Sequence, residues 1–406
     1  MSIVPALVFA ALCLPGVVRT QGDDADLAGV DPYTKAEPTA LARAGITALQ
    51  RFVWAEDHTT VGIQSLMGFE PFRFIETAHF KVASSLPAMA IPADAAGRRA
   101  LRTELVALKA RLPSVDVDAR TLDPWLRAHL YAHRLERAHA EFATRFGVSE
   151  AAMARCAPGG AFAVDYAGEG PHLGQRGKFL VVLARSGASL GSYARNFLDL
   201  PAPRTTARHH LARSGSLLLL TAEDLPEQDL RRDQDLHAAV AYHAAHLFVD
   251  AFRSYWHDCP AWFEEGVAHW FRARVAPSRA VFALRPRLLP RDPGAADWAA
   301  NVRARLAHGS VVPAEELFRL RNEALRFEDH LAAWSRVDFL LTAHPAAFPL
   351  FARTLKGPDA SVTPPTPSAA EIEARQLRAL SQVFGWSLAD FDAQWSAWAL
   401  RTYPKT

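Results

Sequence analysis

The 406-residue sequence is poor in cysteine and almost without net charge. Three cysteines cannot build a disulfide-dense scaffold or a four-cysteine zinc site. A formal charge of +2 supplies no strong field to recruit nucleic acid or an anionic membrane, so we expect neither partner. Half of the residues are hydrophobic and 22% are charged, a composition that can bury a large core and argues against a disordered chain.

The sequence also lacks the short motifs of the common nucleotide-dependent and serine-dependent enzymes. The segment GQRGK (174–178) lacks the spacing and the following Ser or Thr of a phosphate-binding loop, and it leads into a predicted strand instead of a helix. No GxSxG elbow occurs, which disfavours a serine hydrolase.

The N-terminus predicts export. An apolar run over 3–18 is too short for a comfortable membrane span and is followed at once by polar sequence, which is typical of a secretory signal peptide covering 1–22, although no basic residue precedes the run. We therefore expect a periplasmic or extracellular protein with no stable membrane span after cleavage; the alternatives are an uncleaved anchor or a wrongly assigned start. Cleavage would remove Cys13 and leave Cys156 and Cys259, which form either one disulfide or two buried thiols.

Helix and strand patterns change along the chain. Up to about residue 225 they alternate, with helices predicted over 38–58, 95–112 and 123–146, and from 228 onward almost everything is predicted helical. A mixed region followed by an all-helical one predicts an α+β fold. The predicted division is a signal peptide (1–22), an N-terminal mixed α/β region (23–200) and a C-terminal domain with a helical subdomain (201–406).

Histidines are concentrated in one short segment. Five of the sixteen lie within 237–269. Tyr242 and His246 are four residues apart and share one face of a predicted helix, and Glu265 and His269 are placed in the same way on the next helix. Two packed helices, one offering a histidine and the other a glutamate, are how a three-ligand zinc site is built.

This segment resembles the gluzincin metallopeptidases, and more closely the peptidase-MA-like proteins of bacterial genomes. Their first helix carries HExxH and their second carries P-x-W-x-x-E-G-x-A, which is intact here over 260–268 with Glu265 as its glutamate. The sequence SLLLLTAE (216–223) precedes the helices, as an edge strand along the substrate cleft does in such enzymes. The resemblance covers about 205–403 and implies a gluzincin-like fold for that part of the chain.

The first motif is degenerate, because the sequence Tyr242-His243-Ala244-Ala245-His246 replaces HExxH. Aligned on the second histidine, Tyr242 stands where the first metal ligand belongs and His243 stands at the position of the general base. The resemblance therefore implies a peptidase fold whose peptidase chemistry is lost, and it indicates no catalytic residue apart from His243 as a weak replacement base.

The candidate metal ligands are His246, Glu265 and Tyr242. The favoured expectation is that no cofactor is bound and that His246 simply pairs with Glu265, with zinc as the alternative. Two further residues could support this centre: His269 either bonds Glu265 or caps the helix face, and Glu264 is expected to face solvent rather than to act as a ligand.

Three functions are compatible with these observations. The first is an inactive metallopeptidase-like module that binds a peptide or protein in the cleft, along the edge strand. The second is an active zinc-dependent metallohydrolase that uses His246 and Glu265 in a remodelled site. The third places the function in the N-terminal half. The histidines of the helix over 123–146, among them His129 and His139, are expected on a solvated face.

Overall fold

A computed structural model describes residues 29–55, 57–68, 70–149, 168, 170–255, 258–277, 297–356 and 369–405. The predicted signal peptide with Cys13 lies outside these residues, as does Cys156, so a disulfide to the buried Cys259 stays a prediction. In the described part of the chain, no helix has the length and apolar composition that a bilayer span requires.

A six-stranded mixed sheet lies at the centre of the first half of the chain. Its strands are β1 (Ile46–Leu49), β2 (Arg73–Thr77), β3 (Phe80–Ser84), β6 (Phe179–Ala184), β7 (Ala207–Leu211) and β8 (Ser216–Ala222). Their spatial order is β1-β2-β3-β6-β8-β7, in which β3, β6 and β8 are parallel and the other neighbours are antiparallel. Two small pairs combine β4 (Met89–Ala90) with β5 (Thr121–Leu122) and β9 (Asp224–Leu225) with β10 (Gln228–Asp229).

Helices cover both faces of this sheet. The first half of the chain contains α1 (Pro38–Ala44), α2 (Thr60–Leu66), α3 (Ala95–Lys109), α4 (Pro124–Phe146) and α5 (Gly187–Leu198), of which α3 packs on α4. Successive residues of a strand point to opposite faces. Phe179 and Val181 therefore pack in the core that includes α4 and the later helices, whereas Leu180 and Val182 pack with α2 and α5. Helix α4 begins where the Asp123 carboxylate caps two backbone N–H groups.

The rest of the described chain is helical. It contains α6 (Asp233–Ala251), α7 (Ala261–Val275), α8 (Trp298–Ala307), α9 (Ala314–Leu317), a 3₁₀ turn (Asn322–Ala324), α10 (Phe327–Ala343), α11 (Phe348–Leu355), α12 (Ala369–Phe384) and α13 (Leu388–Thr402). Helix α6 is buried almost along its whole length, between the sheet with α4 on one side and α7 on the other. The predicted α+β class is confirmed. The sheet takes strands from both sides of residue 200.

Three expectations from the sequence were wrong. The helix predicted over 38–58 ends at Ala44, because Gly45 adopts a left-handed conformation with φ 74° and β1 follows directly. The strand SLLLLTAE is not an edge: β8 is paired on both sides, which suits its continuously apolar sequence, and the edge strand next to it is β7. His129 and His139 are buried, not solvated.

Candidate metal centre

Helix α6 positions Tyr242, His243 and His246, none of which is more than 1% exposed. The helix is apolar on most sides, as expected for one enclosed by other elements. A buried ion pair holds its first turn in place. The Nη1 and Nη2 atoms of Arg134, on α4, donate hydrogen bonds to the two carboxylate oxygens of Asp233 at 2.9 and 2.6 Å. The three site residues therefore lie on a helix that is anchored to the first half of the chain.

Helix α7 positions Glu265 and His269, and Gly266 determines how closely α10 approaches them. A Cβ atom on Gly266 would lie 2.5 Å from Cγ2 of Val337 and 2.6 Å from the carbonyl oxygen of Ala333, both on α10. The two helices pack at this distance only because residue 266 has no side chain. As a result, His330 near the start of α10 reaches the Glu265 carboxylate.

Four side chains surround the Glu265 carboxylate. The Tyr242 hydroxyl donates a hydrogen bond to Oε2 at 2.5 Å. His330 Nδ1 and His269 Nε2 lie 3.3 and 3.6 Å from the same oxygen, and His246 Nε2 lies 3.6 Å from Oε1. One carboxylate therefore joins α6, α7 and α10.

Burial sets the protonation of this centre. Loss of water alone would raise the pKa of Glu265, but the imidazoles of His246 and His330 hold that pKa well below its ordinary value. Burial, together with nearby positive charge, lowers the pKa values of His243, His246 and His269. At neutral pH these directions favour an ionised Glu265 carboxylate and neutral imidazoles at His246 and His269, the forms in which both kinds of group bind metals.

The structure brings Tyr242, His246 and Glu265 together, but not as ligands of one ion. Ligand atoms about 2.0–2.2 Å from a tetrahedral zinc ion lie about 3.3–3.6 Å apart. The 2.5 Å between the Tyr242 hydroxyl and Glu265 Oε2 is much shorter and is a hydrogen-bond distance. The set implied by the resemblance therefore does not fit a metal ion in this arrangement.

The remaining predicted site residues are placed as follows. Neither ring nitrogen of His243 has a hydrogen-bond partner among the described residues. His269 contacts Glu265, which was one of its two expected roles. Glu264 is only half-buried, and desolvation and the charge of Asp250 raise its pKa. His330 was missed, since a single histidine on a helix 65 residues beyond Glu265 carries no spacing signal.

Two groups of described residues could hold a metal ion, and Glu265 with His269 and His330 is one of them. The other is His79 with Glu136 and His139, between β3 and α4. There, His79 Nδ1 lies 2.7 Å from Glu136 Oε2, but the His79 and His139 rings are stacked, 3.8 Å apart and inclined by 20°. An imidazole binds metals in its ring plane, so two stacked rings cannot share one ion.

No protein-family model matches the chain, and the searches of curated proteins and of solved structures also returned no match. The resemblance to the gluzincin peptidases therefore stays a prediction that rests on the motifs in residues 242–268.

Proposed function

We propose that this chain is an exported peptide- or protein-binding module with a gluzincin-like helix pair and without peptidase activity. Its expected location, the periplasm or the cell exterior, follows from the predicted signal peptide. The hydrogen bond from Tyr242 to Glu265 carries the proposal. It joins the positions of the first and third metal ligands of the related enzymes directly to each other.

The general base is missing as well. His243 stands at its position and is only 1% exposed, and both of its ring nitrogens lack hydrogen-bond partners among the described residues. A general base must reach the proton of the attacking water, directly or through one water molecule. A buried imidazole with a lowered pKa on the enclosed helix α6 is poorly suited to that task.

Edge strand β7 is the proposed docking element. Residues 207–210 are half-buried, and a strand at the sheet edge can pair with an extended peptide through its backbone. Arg208 on this strand has an Nη1 atom that is buried without a hydrogen-bond partner among the described residues. Strand β7 contacts α6, and the charge of Arg208 acts on His243 and His246 of that helix. A peptide with a carboxylate at this position suits such a surface.

The first test concerns hydrolysis. We expect the mature protein, incubated with zinc and a quenched fluorescent peptide library, to cleave nothing above the blank. The double variant Tyr242→His, His243→Glu restores HExxH and should gain zinc-dependent cleavage, whereas Tyr242→Phe, His243→Gln should not. Wild-type cleavage that disappears in Glu265→Gln would contradict the proposal and favour a remodelled metallohydrolase. A restored motif that gains no zinc-dependent cleavage would contradict the resemblance.

The second test concerns docking at β7. We expect fluorescence anisotropy to detect binding of carboxylate-rich extended peptides from the same library. Arg208→Glu should weaken that binding by about tenfold or more at low salt, because it places like charges face to face. Arg213→Glu makes the same charge change on an exposed side chain in the β7–β8 turn and should have little effect. Equal losses in both variants would contradict docking along β7.

A further inference from the structure

We propose that Glu265, His269 and His330 form a zinc site that differs from the one implied by the family resemblance. The new ligand on α7, His269, lies one helical turn beyond Glu265. Only Glu265 belongs to both sets. His269 and His330 replace the ligands expected from α6, so the ion would join α7 to α10 instead of α7 to α6. The inference goes beyond peptide binding, because a closed metal site does not require any peptide.

The distances between the three donor atoms carry the proposal. His269 Nε2 lies 3.2 Å from His330 Nδ1, and the two nitrogens lie 3.6 and 3.3 Å from Glu265 Oε2. Tetrahedral zinc with bonds of about 2.0–2.2 Å separates its ligand atoms by about 3.3–3.6 Å. The three atoms therefore already form a triangle of the size that one zinc ion requires.

The ring orientations agree with this geometry. The planes of His269 and His330 are inclined by 89°, with ring centres 5.2 Å apart. Two perpendicular imidazoles can both hold one ion in their ring planes, which the stacked rings of His79 and His139 cannot do. This difference favours the Glu265 group over the other histidine–glutamate cluster.

Two arrangements fit the three facing atoms, His269 Nε2, His330 Nδ1 and Glu265 Oε2. In the first, one bound cation contacts all three atoms. In the second, a proton is shared within the histidine pair, and the metal titration described below distinguishes the two.

The chemistry of the donors selects the metal. Two imidazoles and one carboxylate match the borderline-soft ligand set of zinc, and three protein ligands leave the fourth position to a water or to the second carboxylate oxygen. Tyr242 hydrogen-bonds the same Oε2 and would orient the carboxylate, as such outer contacts do in metal sites. The three ligand residues are at most 7% exposed, which fits a structural ion that holds two helices together.

The experiment measures zinc in the purified full-length chain by mass spectrometry and titrates the metal-stripped protein with Zn²⁺ and Co²⁺. We expect one zinc per chain and the visible spectrum of tetrahedral Co²⁺. Loss of an outer contact alone weakens metal binding about 10–100-fold, so His269→Gln and His330→Gln, which remove ligands, should raise the zinc Kd by more than about a hundredfold. His139→Gln, which changes a buried histidine of the other histidine–glutamate group, is the matched control and should keep the wild-type Kd.

A further variant distinguishes the loss of a metal ligand from the loss of the fold. His330→Cys keeps a metal-binding side chain and should show a thiolate-to-cobalt absorption band if residue 330 is a ligand. Circular dichroism establishes that each variant is folded. No stoichiometric metal in the wild type, no thiolate band in folded His330→Cys, or a loss of zinc in His246→Gln with retention in His330→Gln would each overturn the proposal.

Discussion

The Gly266→Ala variant is expected to lose about 3 kcal/mol or more of its free energy of unfolding, at the upper end of what overpacking costs. The added Cβ would lie 2.5 Å from a Val337 methyl group and 2.6 Å from the Ala333 carbonyl oxygen. The second contact is with helix backbone, which cannot rotate away as a side chain can. Helices α7 and α10 would have to separate, and His330 would move away from Glu265.

Urea unfolding followed by circular dichroism measures this loss. Gly62→Ala is the control, because its Cβ would meet nothing closer than the Thr59 hydroxyl at 3.8 Å and alanine favours the helix that contains it. That variant should be as stable as the wild type or slightly more stable. If Gly266→Ala unfolds at the wild-type urea concentration, the close packing of α7 on α10 is wrong.

Replacement of Arg134 by methionine is expected to cost about 3–5 kcal/mol, because it leaves the buried carboxylate of Asp233 without its partner. The side chain of Arg134 is 4% exposed and forms a bidentate ion pair with Asp233. Its Nη2 atom also donates a hydrogen bond to Oε2 of Glu104 at 2.6 Å. The loss should appear in equilibrium unfolding at neutral pH. Arg102→Met removes an exposed pair with Asp118 and should change little.

The dependence on pH separates this explanation from simple loss of packing. Burial would raise the pKa of Asp233, but the charge and hydrogen bonds of Arg134 hold it below the ordinary value of 3.8. Since the native pKa is the lower one, the pair stabilises the protein fully above that ordinary value and loses its effect as the pH falls further. The deficit of Arg134→Met should therefore shrink in acid. A deficit that stays constant from neutral to acidic pH would indicate packing alone.

The sequence was sufficient to predict where the centre lies along the chain. The spacing of Tyr242, His246 and Glu265 on two helices placed these residues in contact, and the structure agrees. What local sequence could not predict is the type of contact. Whether a tyrosine binds a metal or donates a hydrogen bond to a carboxylate depends on distances of a few tenths of an ångström, which only the packing of α6 against α7 determines.

The contribution of His330 to the site depends on the packing of α10 against α7, which local sequence does not reveal. His330 is a solitary histidine in a helix, and nothing in its neighbourhood suggests a ligand. The signal that could have found it is Gly266, because a glycine inside a helix costs about 1 kcal/mol and so indicates a close neighbour. The edge strand was misassigned for a different reason: the family resemblance implied an edge, whereas the continuously apolar run itself predicts a strand buried inside a sheet, where β8 lies.

The most direct test of the centre is an anomalous difference map from crystals grown with zinc, recorded at the zinc absorption edge. We predict one peak within about 2.2 Å of Glu265 Oε2, His269 Nε2 and His330 Nδ1. A peak between His246 and Glu265 Oε1, with His330 turned away, would contradict the account and restore the ligand set that the family resemblance implies. A map without a peak at any of these atoms would contradict it as well.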